Sequence, residues 1–293
     1  MTGATVSEFP VSTTFPDYAL FRKCCGSGLS EVRPLGEAAS SGEAWDWNFN
    51  SGWAPSYAAY GRMRALMALS EARALHPTSV LEVAAGDAAL CASLALSCRR
   101  VVANDLRREH LERAVRTFKN GDRIELLPGN LFDLDPAVTG VFDLVVACEI
   151  VEHVAHTVDF LKQLKRFLAP GGRILLTTPN GSYCRNTLPT HSMVKDFATL
   201  ESQQFKPDAD GHLFLITPTE MADLAKHSGL AIQRLSLWGT PLITGHVGLS
   251  RISGALASWP CYHLERLAQK LPLAIKEKLC FALSVVLKPC LGI

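Results

Sequence analysis

The chain has 293 residues, an apolar content of 48% and a formal net charge of +1. That length and apolar content are enough for one catalytic domain with additions. The 29 basic and 28 acidic side chains nearly balance, which argues against a large polyanion such as RNA as the main partner. The nine cysteines form no CxxC pair and are odd in number, which predicts reduced, mostly buried thiols in a cytoplasmic protein.

Neither a secretory signal nor a membrane-spanning segment is expected. The first twenty residues lack a basic run followed by an apolar block. No stretch reaches the roughly 18 apolar residues that a transmembrane helix needs.

Residues 1–54 are predicted to form an extended arm, because Ser, Gly, Pro and Thr are frequent and periodicity is weak. The arm contains an aromatic cluster, consisting of Trp45, Trp47, Phe49 and Trp53. Two roles stay open for this cluster, a clamp on the domain or a roof over a bound ligand. Residues 55–75 carry apolar side chains at helical spacing, with Pro55 near the first turn, and predict a helix.

Residues 80–95, VLEVAAGDAALCASLA, predict a strand, a tight turn of small residues and a helix. Small residues such as Gly86 let a ligand approach the backbone, and free N–H groups at a helix start favour an electron-rich partner. Glu82, at the strand end, can accept hydrogen bonds from the amine or hydroxyls of a ligand.

Strands and helices alternate over the following hundred residues. Strands are predicted at 100–105, 123–127, 141–147 and 173–178, and helices at 106–119 and 157–168, with a Pro-Gly-Gly turn at 170–172. This alternation predicts an α/β fold: a Rossmann-like, doubly wound, mainly parallel sheet with helices on both faces. Ligands of such folds gather at the carboxyl ends of the strands.

The pattern loosens after residue 178. Residues 179–212 are too long for a plain turn and suggest a lid or substrate loop. A capping-box start predicts a helix at 217–228, and alternation predicts a strand at 231–238.

Residues 241–293 are predicted as a C-terminal helical extension. One or two helices are expected within 249–278, and residues 280–287 suit either a final buried strand or a continuing helix. The apolar residues after 249 could pack on the sheet, dock weakly on a membrane surface or bind a second copy of the chain. The domain is accordingly placed at 55–240, between the arm and this extension.

Glu149, Glu152 and His153 are the most informative titratable residues. They stand at i, i+3 and i+4 directly after a predicted strand, so one helical turn would direct all three to one side. An imidazole titrates near neutral pH and can serve as a general base.

Six segments, taken in chain order over residues 55–240, resemble the class I S-adenosylmethionine-dependent methyltransferases. They are LEVAAGDA, the acid Asp105 after the second strand, GNLFDL, FDLVVACEIVEHV, LAPGGRILLTTPN and HLFLITPTEMADLAKHSGL. The nearest branch is the one with the ubiquinone-pathway O-methyltransferases and the small-RNA 2′-O-methyltransferases. A nicotinamide-binding fold is a weaker alternative, because the first loop lacks GxGxxG.

The resemblance implies a set of cofactor-binding residues for S-adenosylmethionine. Glu82 and Gly86 would border the methionine part, and Asp105 would accept both ribose hydroxyls. Asn130 and Leu131 would face the adenine, and Cys148 with Glu149 would line the sulfonium end. The full set of implied cofactor-binding residues is Glu82, Ala84, Gly86, Asp105, Leu106, Asn130, Leu131 and Cys148. The chain departs from the family where Ala84 and Ala88 replace glycines and Asn130 replaces an aspartate.

The same resemblance implies a divalent-cation site. In these branches an E-x-x-E-H run with a later histidine, here His212, can hold a cation that grips two substrate oxygens. The implied ligands are Glu149, Glu152, His153 and His212, and the implied catalytic residues are His153, Glu149 and His212. Mixed carboxylate and imidazole ligands suit Mg²⁺, Mn²⁺ or Zn²⁺. Two other roles stay open: His153 or His212 could act as a general base without a metal, or Glu152 and His153 could only build the turn below the cofactor.

The sequence therefore predicts an S-adenosylmethionine-dependent O-methyltransferase acting on a hydroxyl of a small biosynthetic molecule, such as a sugar, glycolipid, polyketide or phenol. N- or C-methylation, RNA 2′-O-methylation and a catalytically silent cofactor-binding protein are the alternatives. A homodimer is compatible with the pattern.

Overall fold

The computed structural model describes residues 10, 14–16, 55–86, 88–118, 120–204, 211–241 and 258–290. The aromatic cluster at 45–53 lies outside the described residues. No helix in these ranges is long and apolar enough to cross a membrane.

Seven strands form a single sheet in the order β3-β2-β1-β4-β5-β7-β6. The strands are β1 Ser79–Val83, β2 Arg100–Asp105, β3 Ile124–Pro128, β4 Phe142–Cys148, β5 Leu168–Pro179, β6 Leu230–Trp238 and β7 Ala282–Pro289. The first five are parallel, and β7 runs antiparallel to both of its neighbours. The predicted Rossmann-like, mainly parallel sheet is confirmed.

Helices precede or connect the strands. They are α1 Pro55–Ala74, α2 Ala89–Leu94, α3 Arg108–Thr117, α4 Pro136–Thr139, α5 Thr157–Arg166, α6 Ala198–Glu201, α7 Pro218–His227, α8 Ser258–Ala268 and α9 Leu273–Leu279. The predicted capping box starts α7, where the Thr217 hydroxyl and the Glu220 carboxylate each bond the other residue's backbone N–H.

Alternating strand residues build two apolar cores, one on each face of the sheet. Val80 of β1 packs into the core formed with α1 and α2, whereas its neighbour Leu81 packs into the core formed with α5 and α7. Burying both faces is what near-continuous apolar strands require, and it fixes the carboxyl ends of β1, β2, β4 and β5 at one edge.

The Pro-Gly-Gly segment is part of β5 and not the turn before it. Phe142 pairs with Leu168, but the next pair is Leu144 with Arg173, so the extra residues form a bulge. Gly171 adopts a φ of 80°, which glycine tolerates without a steric penalty. The turn prediction was wrong because local sequence cannot distinguish a bulge from a chain reversal.

The C-terminal residues complete the sheet. Residues 282–289 form β7 between β5 and β6, which decides in favour of a strand. A short N-terminal strap lies on the β6 side, where the Leu235 amide donates to Pro10 (2.9 Å) and the Tyr262 hydroxyl to Pro16 (3.0 Å).

Candidate active site

The loop after β1 is built on residues in the left-handed backbone region. Ala84, Gly86 and Ala88 have φ angles of 54°, 53° and 49°. Alanine pays roughly 1–2 kcal/mol of strain there, and glycine does not. The amide of Gly86 donates to Oδ2 of Asp105 at 2.9 Å, so the strained loop is attached to the end of β2.

Glu82 and Cys148 line the beginning of this loop from adjacent strands, β1 and β4. Glu82 is only 6% exposed, and its Oε2 accepts the Cys91 amide in α2 at 3.0 Å. Burial raises the pKa of the Cys148 thiol to about 12, and the carboxylates of Glu82 and Glu149 act in the same direction. Cys148 is therefore a neutral thiol at physiological pH and not a nucleophilic thiolate.

Asp105 presents its carboxylate at the end of β2. The amides of Gly86 and Arg107 occupy two acceptor positions, both at 2.9 Å, of the roughly four that a carboxylate offers. The next residue, Leu106, exposes 48% of its surface at the same edge. The free acceptor positions of Asp105 suit the hydroxyls of a ribose, and the exposed side chain of Leu106 suits the flat face of a base, so this edge of the sheet suits a nucleoside.

Asn130 and Leu131 follow β3 and differ in exposure. The Asn130 side chain caps a short 3₁₀ turn by accepting the Phe132 amide at 3.1 Å. Leu131 is 4% exposed and packs in the core on the α5 side, with its carbonyl held by Gln163 at 2.7 Å.

Glu152, His153 and His212 form an acid–imidazole cluster. One ligand atom from each of the three lies within 4.8 Å of the others. The Nε2 atoms of both histidines are 3.9 Å from Oε1 of Glu152, and the two rings are 5.0 Å apart in an edge-on arrangement. The predicted helical turn is instead a 3₁₀ turn, Val151–His153. The amide of Leu213, the residue after His212, donates to the Glu152 carbonyl and holds His212 beside the turn.

Glu152 is fully buried. Thr178 donates to its Oε2 at 3.0 Å, but Oε1 has no hydrogen-bond partner among the described residues. Burial, followed by the charge on Glu149, raises the pKa of this carboxyl well above its usual range. Such an oxygen needs a proton or a cation, because a buried unpaired carboxylate is costly.

Both imidazoles direct their Nε2 atoms toward that oxygen. Nδ1 of His153 lies 3.1 Å from the Gly211 carbonyl, which can only accept, so Nδ1 carries the hydrogen and a neutral ring keeps its lone pair on Nε2. Burial lowers the pKa of His212, which favours its neutral form. A neutral imidazole can place its lone pair on the nitrogen that faces a metal, so these three side chains are a suitable set for a divalent cation.

Glu149 lies outside this group of three. Its backbone has a φ of 52°, its amide donates to the Thr177 carbonyl, and its Oε1 accepts the Thr177 hydroxyl, both at 2.8 Å. Its Oε2 is 3.5 Å from Nη1 of Arg64. Of the four ligands implied by the sequence, the structure brings together Glu152, His153 and His212, while Glu149 is paired with Arg64.

Residues 179–204, which belong to the stretch predicted to be a lid or substrate loop, lie beside the cluster. Isolated bridges join Asn180 to Ile216 and Thr190 to Leu215, on the segment that follows His212. At the other end, His156 bonds Glu201 at 2.6 Å. Residues 180–201 are thus attached to both sides of the cluster.

Sequence reasoning missed Arg64, Thr177 and Thr178. The two threonines carried a usable signal, since they end β5, which pairs with β4, and neighbouring parallel strands end at the same edge. Arg64 carried none, because α1 reaches the site only through tertiary packing.

Known proteins similar to this chain are methyltransferases, in agreement with the loop and strand ends described above. Residues 81–176 match the family described as Methyltransferase domain. The ubiquinone biosynthesis O-methyltransferase of Chromobacterium violaceum is 27% identical over 178 residues, which cover 56% of this chain and 69% of that protein. The enzyme of the same name from Rickettsia prowazekii is 30% identical over 102 residues, covering 34% of this chain and 40% of the relative.

Among solved structures, the CcbJ methyltransferase from Streptomyces caelestis has the same fold, with a TM-score of 0.53 at 15% identity. The alignment covers 85% of this chain and all of that one. The matched domain over residues 81–176, the strand order and the loop after β1 lead to one conclusion: the chain is an S-adenosylmethionine-dependent methyltransferase with a Rossmann-like fold.

Proposed function

We propose that this methyltransferase O-methylates a hydroxyl of a small molecule with the help of a divalent cation held by Glu152, His153 and His212. The observation that carries the proposal is Oε1 of Glu152, which is buried, has no hydrogen-bond partner among the described residues and faces two imidazole Nε2 atoms at 3.9 Å. Two imidazole nitrogens and one carboxylate oxygen suit Zn²⁺ or Mn²⁺, and Mg²⁺, which prefers oxygen ligands, is the alternative.

S-adenosylmethionine, when bound, supplies the methyl group as part of a sulfonium cation. In the proposal, Asp105 accepts the ribose hydroxyls, Leu106 contacts the adenine, and Asn130 bonds its amino group. Leu131 can offer the adenine only its backbone, because its side chain is buried in the core. Ala84 and Gly86 let the backbone approach the methionine part, and Glu82 accepts from its amine. Arg64, whose charge acts on Cys148, suits the carboxylate of the methionine part.

A bound divalent cation acts as a Lewis acid and lowers the pKa of an acceptor hydroxyl. The chain's own residues position it: Thr178 fixes the Glu152 carboxyl, and the Gly211 carbonyl fixes the tautomer of His153. Glu149, held by Thr177 beside Cys148, places negative charge near the sulfonium end and becomes a fourth ligand if it leaves Arg64.

A small acceptor is supported by the lid, which is attached on both sides of the cluster, and by relatives named for O-methylation in ubiquinone biosynthesis. That name favours a phenolic hydroxyl over a sugar. The near-neutral charge of the chain makes RNA the weaker acceptor.

The test measures S-adenosylhomocysteine formation over a panel of phenols, sugars and an oligoribonucleotide, with chelator and with added Mg²⁺, Mn²⁺ or Zn²⁺. We expect chelator to abolish turnover of a phenol and His212→Ala to lower it at least about 100-fold. His227→Ala is the matched control, since His227 is an exposed histidine at the end of α7.

Each part of the proposal has its own contradicting outcome. If the parent kept full activity in chelator while His212→Ala lost it, His212 would act as a general base and no cation would be needed. A product methylated at nitrogen or carbon would refute O-methylation. Absence of calorimetric heat with S-adenosylhomocysteine would remove the cofactor assignments.

A further inference from the structure

Charge is distributed unevenly along this nearly neutral chain. Residues 224–293 contain eight Lys and Arg but only two acids, Glu265 and Glu277. Both acids are used internally: Glu265 is buried and accepts the amides of Gly239 (2.7 Å) and Thr240 (3.0 Å), and Glu277 accepts the Ser182 hydroxyl at 2.7 Å. Among residues 262–290, the exposed charged side chains are therefore all cationic.

Helix α8 and the turn after it place two of these cationic side chains next to exposed leucines. The inward face of the helix consists of Tyr262, Glu265 and Ala268, at 3%, 0% and 7% exposure. Its outward face carries Leu264 and Leu267, 46% and 58% exposed and one turn apart, and the exposed Arg266. The exposed Lys270 follows in the turn two residues after the helix ends. We call these four residues the α8 face.

The next helix repeats the combination. On α9, Ile275 is 50% exposed and Lys278, three residues later, is also exposed. Apolar side chains beside Lys and Arg on an exposed helix are the pattern of interfacial membrane helices, in which leucines enter the acyl boundary and cations meet anionic headgroups.

We infer that the α8 face docks on the surface of an anionic phospholipid bilayer. A second copy of the chain is a poorer occupant, because a two-fold interface sets the same face against itself and would oppose like charges. Lysine is also depleted in the centre of protein interfaces. The inference is independent of the methyl acceptor.

The test is co-sedimentation of the full chain with phosphatidylcholine vesicles, with and without phosphatidylglycerol. We expect binding only when phosphatidylglycerol is present, and weakening as salt is raised. The double variants Leu264→Gln/Leu267→Gln and Arg266→Gln/Lys270→Gln should each bind about tenfold more weakly. Val138→Gln, at an 87% exposed apolar position on α4, and Lys162→Gln, at a 53% exposed lysine on α5, are the matched controls and should bind like the parent.

Three outcomes would overturn the inference, provided that calorimetry with S-adenosylhomocysteine shows each variant folded. The first is equal binding of both double variants and the parent. The second is concentration-dependent dimerisation that the leucine variant abolishes. The third is absence of binding of the parent to phosphatidylglycerol vesicles; RNA binding that depends on Arg266 and Lys270 but not on the leucines would then assign the cations to a polyanion.

Discussion

At the residue scale, the loop after β1 has two alanines at positions where the family that the chain resembles has glycines. Both adopt positive φ angles, 54° for Ala84 and 49° for Ala88, so the backbone has kept the glycine conformation. Alanine in place of glycine at these two positions therefore stores strain in the loop, while the backbone path past the cofactor stays that of glycine.

This strain leads to a stability prediction. Ala84→Gly should raise the free energy of unfolding by roughly 0.5–1 kcal/mol, because relief of left-handed strain exceeds the extra entropy of the unfolded chain. Ala85→Gly, at a neighbour whose φ is not positive, should lower it by a similar amount. Urea unfolding distinguishes them, and equal losses in both variants would contradict the strain argument.

Glu152 leads to a pH prediction. Burial and the charge on Glu149 raise its pKa, so in chelator its ionisation works against folding. The stabilising contribution of the protonated form is complete below the ordinary carboxyl pKa of 4.5 and is lost as pH rises through the raised value. Glu152→Gln, which stays neutral and keeps an oxygen for Thr178, should therefore melt at a higher temperature than the parent at pH 8.

That advantage should shrink as the pH falls toward 4.5. Glu109→Gln, on the exposed side of α3, is the control and should follow the parent at every pH. A Glu152→Gln variant that is less stable than the parent at pH 8 in chelator would show that the carboxyl is favourably ionised. Added Mg²⁺ should stabilise the parent more than the variant.

At the element scale, the short segment that begins with His212 and leads into α7 joins residues 180–190 to the cluster. Gly181 lies against this segment: a Cβ built there would be 2.9 Å from backbone atoms of Ile216 and Thr217. Gly211, directly before His212, has no atom within 4 Å of its built Cβ.

These two glycines make a matched pair. Gly181→Ala should cost about 1–3 kcal/mol of stability, since backbone must move, and should weaken divalent-cation binding by displacing His212. Gly211→Ala should stay within about 0.5 kcal/mol of the parent. Urea unfolding and Co²⁺ titration measure both effects, and a Gly181→Ala variant equal to Gly211→Ala in both would refute the coupling.

At the scale of the whole molecule, Pro10 and residues 14–16 contact α8 and β6, which come from the other half of the chain. The Tyr262 hydroxyl donates to the Pro16 carbonyl at 3.0 Å, and the Phe15 ring lies 5.6 Å from the Tyr262 ring. The Leu235 amide of β6 donates to the Pro10 carbonyl, so Pro10 occupies a backbone donor of a strand that, among the described residues, lies at the edge of the sheet.

Tyr262→Phe should destabilise the protein by about 1 kcal/mol and speed proteolysis near residue 16, because a buried carbonyl loses its partner. Leu264→Gln, on the outward face of the same helix, should leave both quantities unchanged. Thermal melting and limited proteolysis provide the readout, and an unaltered cleavage rate in Tyr262→Phe would argue against a fixed strap.

The sequence by itself determined the alternating α/β order, the capped start of α7 and the residues at the carboxyl ends of β1, β2 and β4, because these follow from local periodicity and turn chemistry. His212 was implied as a ligand by the family resemblance, and the structure places it beside Glu152 and His153. Only the tertiary structure decided that residues 282–289 insert between β5 and β6 and that Arg64 from α1 faces Glu149. Those contacts join residues far apart in the chain, and their spacing in sequence does not reveal their distance in space. The same holds for Glu149, which local spacing placed beside Glu152 and His153, whereas a left-handed backbone and Thr177 turn it toward Arg64.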